Sequence, residues 1–382
     1  MNPLIALALL LAAGLAATRL RLPPLHRPSL DWALAAGAPL VLVGLLLGPG
    51  LGVLDPPTRR ALAPIAALGI GWIGAVFGAQ LEWRFLRRIP PRVWALGALR
   101  AAAILVVTVL AARLLTRAVP DLASVWRPTI PALLTLAAAA MISRPGPGAQ
   151  RLTALVDTTF GVLVFALGLG LSHPHRPFHG VALGWAYWIA VAVVSSGGVG
   201  GLFLWLSRLR DAADSKALGL DMVGVVLVGA GLGYATDLSP FVVCALATAL
   251  IVNLSPFRRR VQALLTAWEP PIYAVFLVAA AALFDLPTLW LVPAAALLGV
   301  LRVAARWASV RYGRAWFKVP GLTVAQGGVP IALALSFNLI YVGAGAGGAI
   351  LATVLLGVAF SAIAAPLKAR ALALRPPPPE VS

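Results

Sequence analysis

Apolar runs of bilayer length recur from one end of the 382-residue chain to the other, each closed by Arg, Pro, Gly or a short polar cluster. A hydrocarbon layer about 30 Å thick needs roughly 20 apolar residues in a helix, whereas barrel strands would alternate over about ten. The runs here do not alternate, so they predict helices. Set against their breakers, they give about thirteen spans. These lie at residues 3–18, 32–54, 61–81, 93–118, 128–142, 151–172, 179–206, 217–235, 239–254, 266–284, 286–309, 319–341 and 345–367. The predicted fold class is therefore an all-α membrane protein, one polytopic domain over residues 1–371 with a short disordered cytoplasmic tail at 372–382.

Composition agrees: 61% of residues are hydrophobic and 11% charged, against roughly a quarter charged in a soluble domain. The opening run has no basic residues before it and its first cations after it, which reads as a retained first span and not a cleaved signal. The net charge of +18 would suggest nucleic acid in a soluble protein. In a membrane protein it reports cytoplasmic anchoring, so no nucleic-acid partner is expected. Arg100, Arg302 and Arg306 fall inside spans, and Arg59, Arg60, Arg113, Arg117, Arg127 and Arg176 lie on the side of the N-terminus. Most of the remaining cations are on the opposite side, which predicts an inner-membrane protein with its N-terminus outside and its C-terminus in the cytoplasm.

Thirteen spans divide into six, one and six, and the two sixes then enter the membrane from opposite faces, as inverted repeats around a linker helix at about 179–206. The fifth span ends in "MISRPGPGAQR" and the twelfth contains "VPGLTVAQGGVPIALALSF". Both are interrupted by Pro and Gly at corresponding positions. They are candidates for discontinuous crossing helices, whose freed backbone groups must face protein or a wet cavity.

Within "ALVDTTFGVLVFALG" (154–168) Asp157 is the one ionisable residue. A carboxylate in mid-span costs about 2.5–3.5 kcal/mol on insertion scales, so it faces the bundle interior and needs a partner. Arg302 and Arg306, four apart in "LLGVLRVAARWASVRYGR", share a helix face and are the natural counter-charges, Arg302 the deeper of the two. Glu269 reads as a helix-start carboxylate, and His173, His175 and His179 as a solvated outer loop. "GAGAGG" at 343–348 follows a hydrophobic span and not a strand, so it reads as helix packing and not a nucleotide fingerprint. No metal-spaced ligand set, nucleophile elbow or P-loop is present, which argues against catalysis and a cofactor.

Several stretches resemble those of the monovalent cation:proton antiporter families. "LVLVGLLLGPGLGVL" (40–54) is similar to their early G-x-x-x-G-P-x-x-L-G segment, and "GAQLEWRFLRR" (78–88) to their G-L-E-x-D-x-x-x-L-R-R segment. "DLSPFVVCALATALIVN", "WEPPIYAVFLVAAAAL" and "GLTVAQGGVPIALAL" resemble later spans in the same order. The resemblance implies that Asp157 takes the position of the ion- and proton-binding aspartate and that Arg302, or Arg306, stands near its charge partner. Ser143 and Arg144 fall in the first broken helix, and with Thr158 and Gln326 complete the cavity candidates. Two departures stand out: Val156 replaces an oxygen ligand, and Arg144 puts a cation where the family has a polar residue.

The resemblance further implies a moving core, about 91–172 and 286–367, against a dimerisation scaffold, about 1–90 and 215–285. Elevator-like alternating access and a homodimer follow from it. The expected function is secondary antiport of Na⁺ or K⁺ against H⁺, the two competing for Asp157; the bilayer is the other partner, and a separate cytoplasmic regulatory chain is compatible with the sequence. Two rivals stay open: a non-transporting sensor or partner subunit on the same fold, motivated by Val156 and Arg144, and an organic-anion transporter on a related inverted-repeat fold.

Overall fold

The computed structural model describes residues 38–50, 58, 61–126, 129–145, 149–171, 173, 181–208, 215–317, 326–341 and 346–373, with isolated positions 8, 12, 14 and 16. Apart from those four positions the first predicted span lies outside them, as do the tail, His175, His179 and residues 319–325 at the start of the twelfth predicted span.

The described residues form fourteen α-helices. In chain order they are α1 (Ala38–Leu45), which runs into a π turn at Leu46–Gly50, α2 (Ala63–Gly78), α3 (Trp83–Leu86), α4 (Pro91–Ala118) and α5 (Pro120–Trp126). Next come α6 (Ile130–Met141), α7 (Ala149–Leu171), α8 (Val181–Arg208), α9 (Ser215–Ala235) and α10 (Pro240–Leu254). The last four are α11 (Arg258–Ala282), α12 (Leu291–Phe317), α13 (Gly328–Ile340) and α14 (Gly347–Ala373). Six helices are long and apolar enough to cross a membrane, or seven if α5 and α6 are one bent span. The protein is thus an all-helical, multi-pass membrane protein.

A helix overlaps each predicted span from the second onward, but among the described residues six or seven and not thirteen have the length of a crossing, since helices such as α2, α10 and α13 are shorter. The fifth is preceded by the separate short helix α5. Helix α11 starts at Arg258, where residue 266 was expected, and carries Pro270 and Pro271 inside it. Breakers in the sequence therefore overstated that boundary: proline removes one backbone donor but does not force an end when the turns before and after it are helical.

Close backbone approach joins the helices that hold the bundle together. A side chain at Gly74 or Gly78 of α2 would meet the carbonyls of Phe241 and Ala245 in α10, at 2.3 and 2.1 Å. Gly44 of α1 and Gly48 of the π turn stand in the same relation to the Val278 and Ala282 carbonyls of α11, at 2.4 and 2.3 Å. Each pair is a Gly-x-x-x-Gly, the spacing that lets helix backbones touch where lipid offers no hydrophobic drive to associate.

Among the described residues four apolar clusters result, two of them large. One packs Trp72, Val199, Phe203, Met222 and Ile251 from α2, α8, α9 and α10. The larger runs through α4, α6, α7, α13 and α14, with Leu96, Leu136, Phe165, Ile331 and Ile350 among its members. Between α5 and α14, the buried Trp126 indole donates to Thr353 Oγ1 at 3.1 Å. The site described next lies where α4, α6, α7 and α12 meet.

Candidate ion-binding site

Helix α6 stops at Met141 because Ile142 turns extended and Pro145 follows shortly after. A helix end leaves its last four carbonyls without intrahelical donors, and in an apolar setting each must find one elsewhere. Here four consecutive carbonyls are met by side chains. Gln326 Nε2 donates to Ala139 at 2.7 Å, and Arg302 Nε to Ala140 at 2.7 Å. Arg306 Nη1 donates to Met141 at 2.8 Å, and Arg302 Nη2 to Ile142 at 3.0 Å. Two cations thus face the negative end of a helix dipole, the favourable arrangement. The Gln326 bond to Ala139 brings the second interrupted segment onto the end of the first, and the Gln326 backbone N–H donates to Ser361 Oγ of α14 at 3.2 Å.

Asp157 lies in the second and third turns of α7 and is 3% exposed. Both its oxygens are engaged. Arg100, on α4, donates to Oδ1 through Nε at 2.8 Å and again through Nη2. Arg306 donates to Oδ2 through Nη2 at 2.5 Å, and Ser143 Oγ lies 3.4 Å from the same oxygen. The carboxylate is therefore the anionic centre of a buried group that includes three guanidiniums, all of them nearly inaccessible to solvent. Charge-assisted bonds of this kind are short and strong in a low dielectric.

The expected counter-charges are both present, but they divide the work otherwise than depth alone suggested. Arg306 reaches the aspartate, while the hydrogen bonds of Arg302 described above go to the end of α6. Arg100 was visible in the sequence as one of three arginines inside spans, yet it was not assigned to Asp157. The signal that could have found it is Gly97, three residues earlier and so on the same face of α4. A side chain at Gly97 would come 2.3 Å from Val156 Cγ1. The glycine brings α4 onto α7 one residue before the aspartate, and Arg100 follows.

That contact also accounts for Val156. The position expected to hold a polar ligand packs its methyls against α4 and is wholly buried. Thr158 donates its hydroxyl to the Ala154 carbonyl at 2.8 Å, within its own helix. Arg144 is exposed, its stem packs near Gly327, and the groups within its electrostatic reach are Glu269 and Tyr273 of α11. The backbone oxygens expected to serve an ion at the first break are those taken by Arg302, Arg306 and Gln326.

The outer loop also differs from expectation: His173 is buried, with Nε2 2.9 Å from the Asp237 carbonyl and its ring stacked on Trp188 at 3.5 Å. Among the described residues no group of His, Cys, Asp and Glu is placed to hold a metal ion.

No family model matches the sequence, and no curated protein matches it. Solved structures do. The chain is similar to the sodium proton antiporter MjNhaP1 from Methanocaldococcus jannaschii, with a TM-score of 0.64 over 98% of this chain and 99% of that one, at 18% identity. At that identity the likeness is one of architecture: the chain has the fold of a sodium proton antiporter.

Proposed function

We propose that the protein is a secondary active antiporter exchanging a monovalent cation, Na⁺ or K⁺, for H⁺ across the inner membrane. Asp157 binds either the proton or the metal ion, and the two compete. The observation that carries this reading is a single buried carboxylate on α7, set against the capped end of the interrupted fifth span and held only by charged or hydroxyl side chains. Such a group is costly in a membrane and is kept where an ion pathway needs it. The fold of a sodium proton antiporter supports the same reading.

In this proposal thirteen spans form two inverted repeats, the N-terminus lies outside, and the protein works as a homodimer. The core carrying α4, α6, α7, α12, α13 and α14 moves against a scaffold of α1, α2, α9, α10 and α11. Arg306 stays tied to Met141 and hands Asp157 over to the incoming ion. Purified protein in liposomes containing a pH-sensitive dye tests this. A pulse of Na⁺ or K⁺ moves protons in the parent and none in D157N; a D157N variant as active as the parent refutes it.

One observation favours a second reading. Both carboxylate oxygens are already occupied by guanidiniums, as in a member of the fold that no longer exchanges ions and serves as a sensor or membrane partner. Dye-loaded liposomes that respond to neither cation, together with no cation-induced thermal shift, select it. Uptake that depends on an anionic solute selects instead an organic-anion carrier built on the same excess of buried arginines.

A further inference from the structure

We infer that Arg100 is a tethered counter-cation that competes with the transported ion for Asp157, and so sets the cation affinity of the site. The inference rests on the antiport reading and adds a residue to it.

The three buried arginines differ in what holds them. Arg302 donates to the Ala140 and Ile142 carbonyls, and Arg306 divides its guanidinium between Met141 and Asp157. Both keep their grip on the end of α6 whatever state the aspartate is in. Among the described residues Arg100 has no such anchor: its two hydrogen bonds there both end on Asp157 Oδ1. It is 1% exposed, so water does not take over when the aspartate lets go.

Arg100 covers Oδ1 and Arg306 reaches Oδ2, so an alkali ion that binds Asp157 meets a guanidinium at either oxygen, and the like charges repel. A proton on Asp157 has the same consequence, since it removes the negative charge that holds the guanidinium. Either ligand leaves Arg100 as an unpaired buried cation, a state that is strongly disfavoured unless the side chain or its helix rearranges. Arg100 thus opposes loading of the site and yields only when α4 and α7 shift relative to one another. The Gly97 contact with Val156, one turn away, makes that boundary tight enough for the shift to be felt.

Removing the tethered charge therefore tightens cation binding, which is the opposite of what losing a structural ion pair does. R100Q and R100K are compared with the parent and D157N in two measurements. One is the thermal shift of purified protein titrated with NaCl or KCl at constant ionic strength, balanced with choline chloride. The other is the cation KM of proton movement in liposomes. R100Q is expected to lower the apparent Kd about tenfold or more, with KM falling alongside. In R100K the charge stays but the two-pronged grip on Oδ1 is lost, so its affinity lies between the two.

Unchanged or weaker cation affinity in R100Q overturns the inference. If D157N is still inactive while the parent exchanges ions, the antiport reading survives that result. Should the parent show no cation response, a response gained in R100Q and lost again in R100Q/D157N supports the role of Arg100 while refuting antiport by the parent. Should R100Q fail to fold, R100K decides: an affinity equal to the parent's overturns the inference.

Discussion

Replacing Asp157 by Asn removes the one negative charge from a cluster of three buried arginines. Its effect on stability follows from counting what is left. Arg100 and Arg306 each hold the carboxylate at hydrogen-bond distance, and unit charges about 4 Å apart attract by about 4 kcal/mol at an effective dielectric near 20. D157N forfeits both attractions and leaves like charges facing an amide that offers a single acceptor oxygen. Part of this is recovered by relaxation, and the amide still accepts one bond. The expected cost is about 3–5 kcal/mol, the range for breaking a buried pair from one side.

A second substitution separates charge balance from shape. In D157N/R100Q the cation without another anchor is gone, while Arg306 keeps Met141. The double variant is therefore expected to be more stable than D157N alone by about 1–2 kcal/mol, although it carries one more change. The assay is the unfolding midpoint in detergent followed by intrinsic fluorescence, which the 12 tryptophans make strong. Parent, D157N, R100Q and the double variant are compared at one pH and one salt concentration. A double variant as unstable as the sum of its singles refutes the reasoning, because it means that the three side chains are held by packing and that their charges do not interact.

Other substitutions test the supports of the site. G97A drives a methyl into Val156 and is expected to cost about 1–3 kcal/mol and slow exchange, while G97A/V156A restores both, measured by unfolding midpoint and dye flux. G78A forces a side chain against the Ala245 carbonyl and destabilises, whereas G198A, with open space around it, is neutral or stabilising by up to about 1 kcal/mol. T353V leaves the buried Trp126 N–H without an acceptor, at an expected cost of about 1–3 kcal/mol in the same unfolding assay. Ser239, at the start of α10, and Ser336 of α13 sit with hydroxyls 2.7 Å apart, across the boundary at which the proposal sets core against scaffold. An S239C/S336C pair, oxidised, is expected to arrest transport and regain it with reductant in the dye assay; full activity when cross-linked refutes relative motion there.

The positions of the helices were legible in the chain because a bilayer imposes one polarity on the segments it holds. The run at 239–254, bounded only by short polar clusters, still carries a helix at Pro240–Leu254. The ends were less legible, since proline at 270 and 271 looks like a stop in the sequence but sits inside α11. Asp157 was conspicuous as a lone charge in an apolar run. Arg306 was expected as a partner and does reach it; Arg100 was not, because a partner depends on which helices touch, and Gly97 settles that by a contact with Val156 that no periodicity reports. Likewise the freed carbonyls at the end of α6 were foreseen as open groups for an ion, and long side chains from α12 reach them first. His173 reads as a polar loop residue until the Asp237 carbonyl and Trp188 are placed around it.

Taken together, the charges account for the two departures that set this chain apart from the family it resembles. A valine before the aspartate removes an oxygen ligand, but it also brings α4 close enough for Arg100 to supply a cation from the other side. An arginine after Ser143 adds a positive charge to the broken segment, yet it stands exposed beside Gly327 and its charge acts on Glu269 and Tyr273 of α11, while the guanidiniums bonded to the carboxylate are those of Arg100 and Arg306. The cation that matters for loading is then the one on α4. With Arg302 and Arg306 neutralised in part by the end of α6, Asp157 and Arg100 form a neutral pair, and an ion or proton bound by Asp157 adds one positive charge to the buried cluster. A monovalent ion or a proton is a matching substrate for such a pair, since either supplies the single positive charge that lets Arg100 leave.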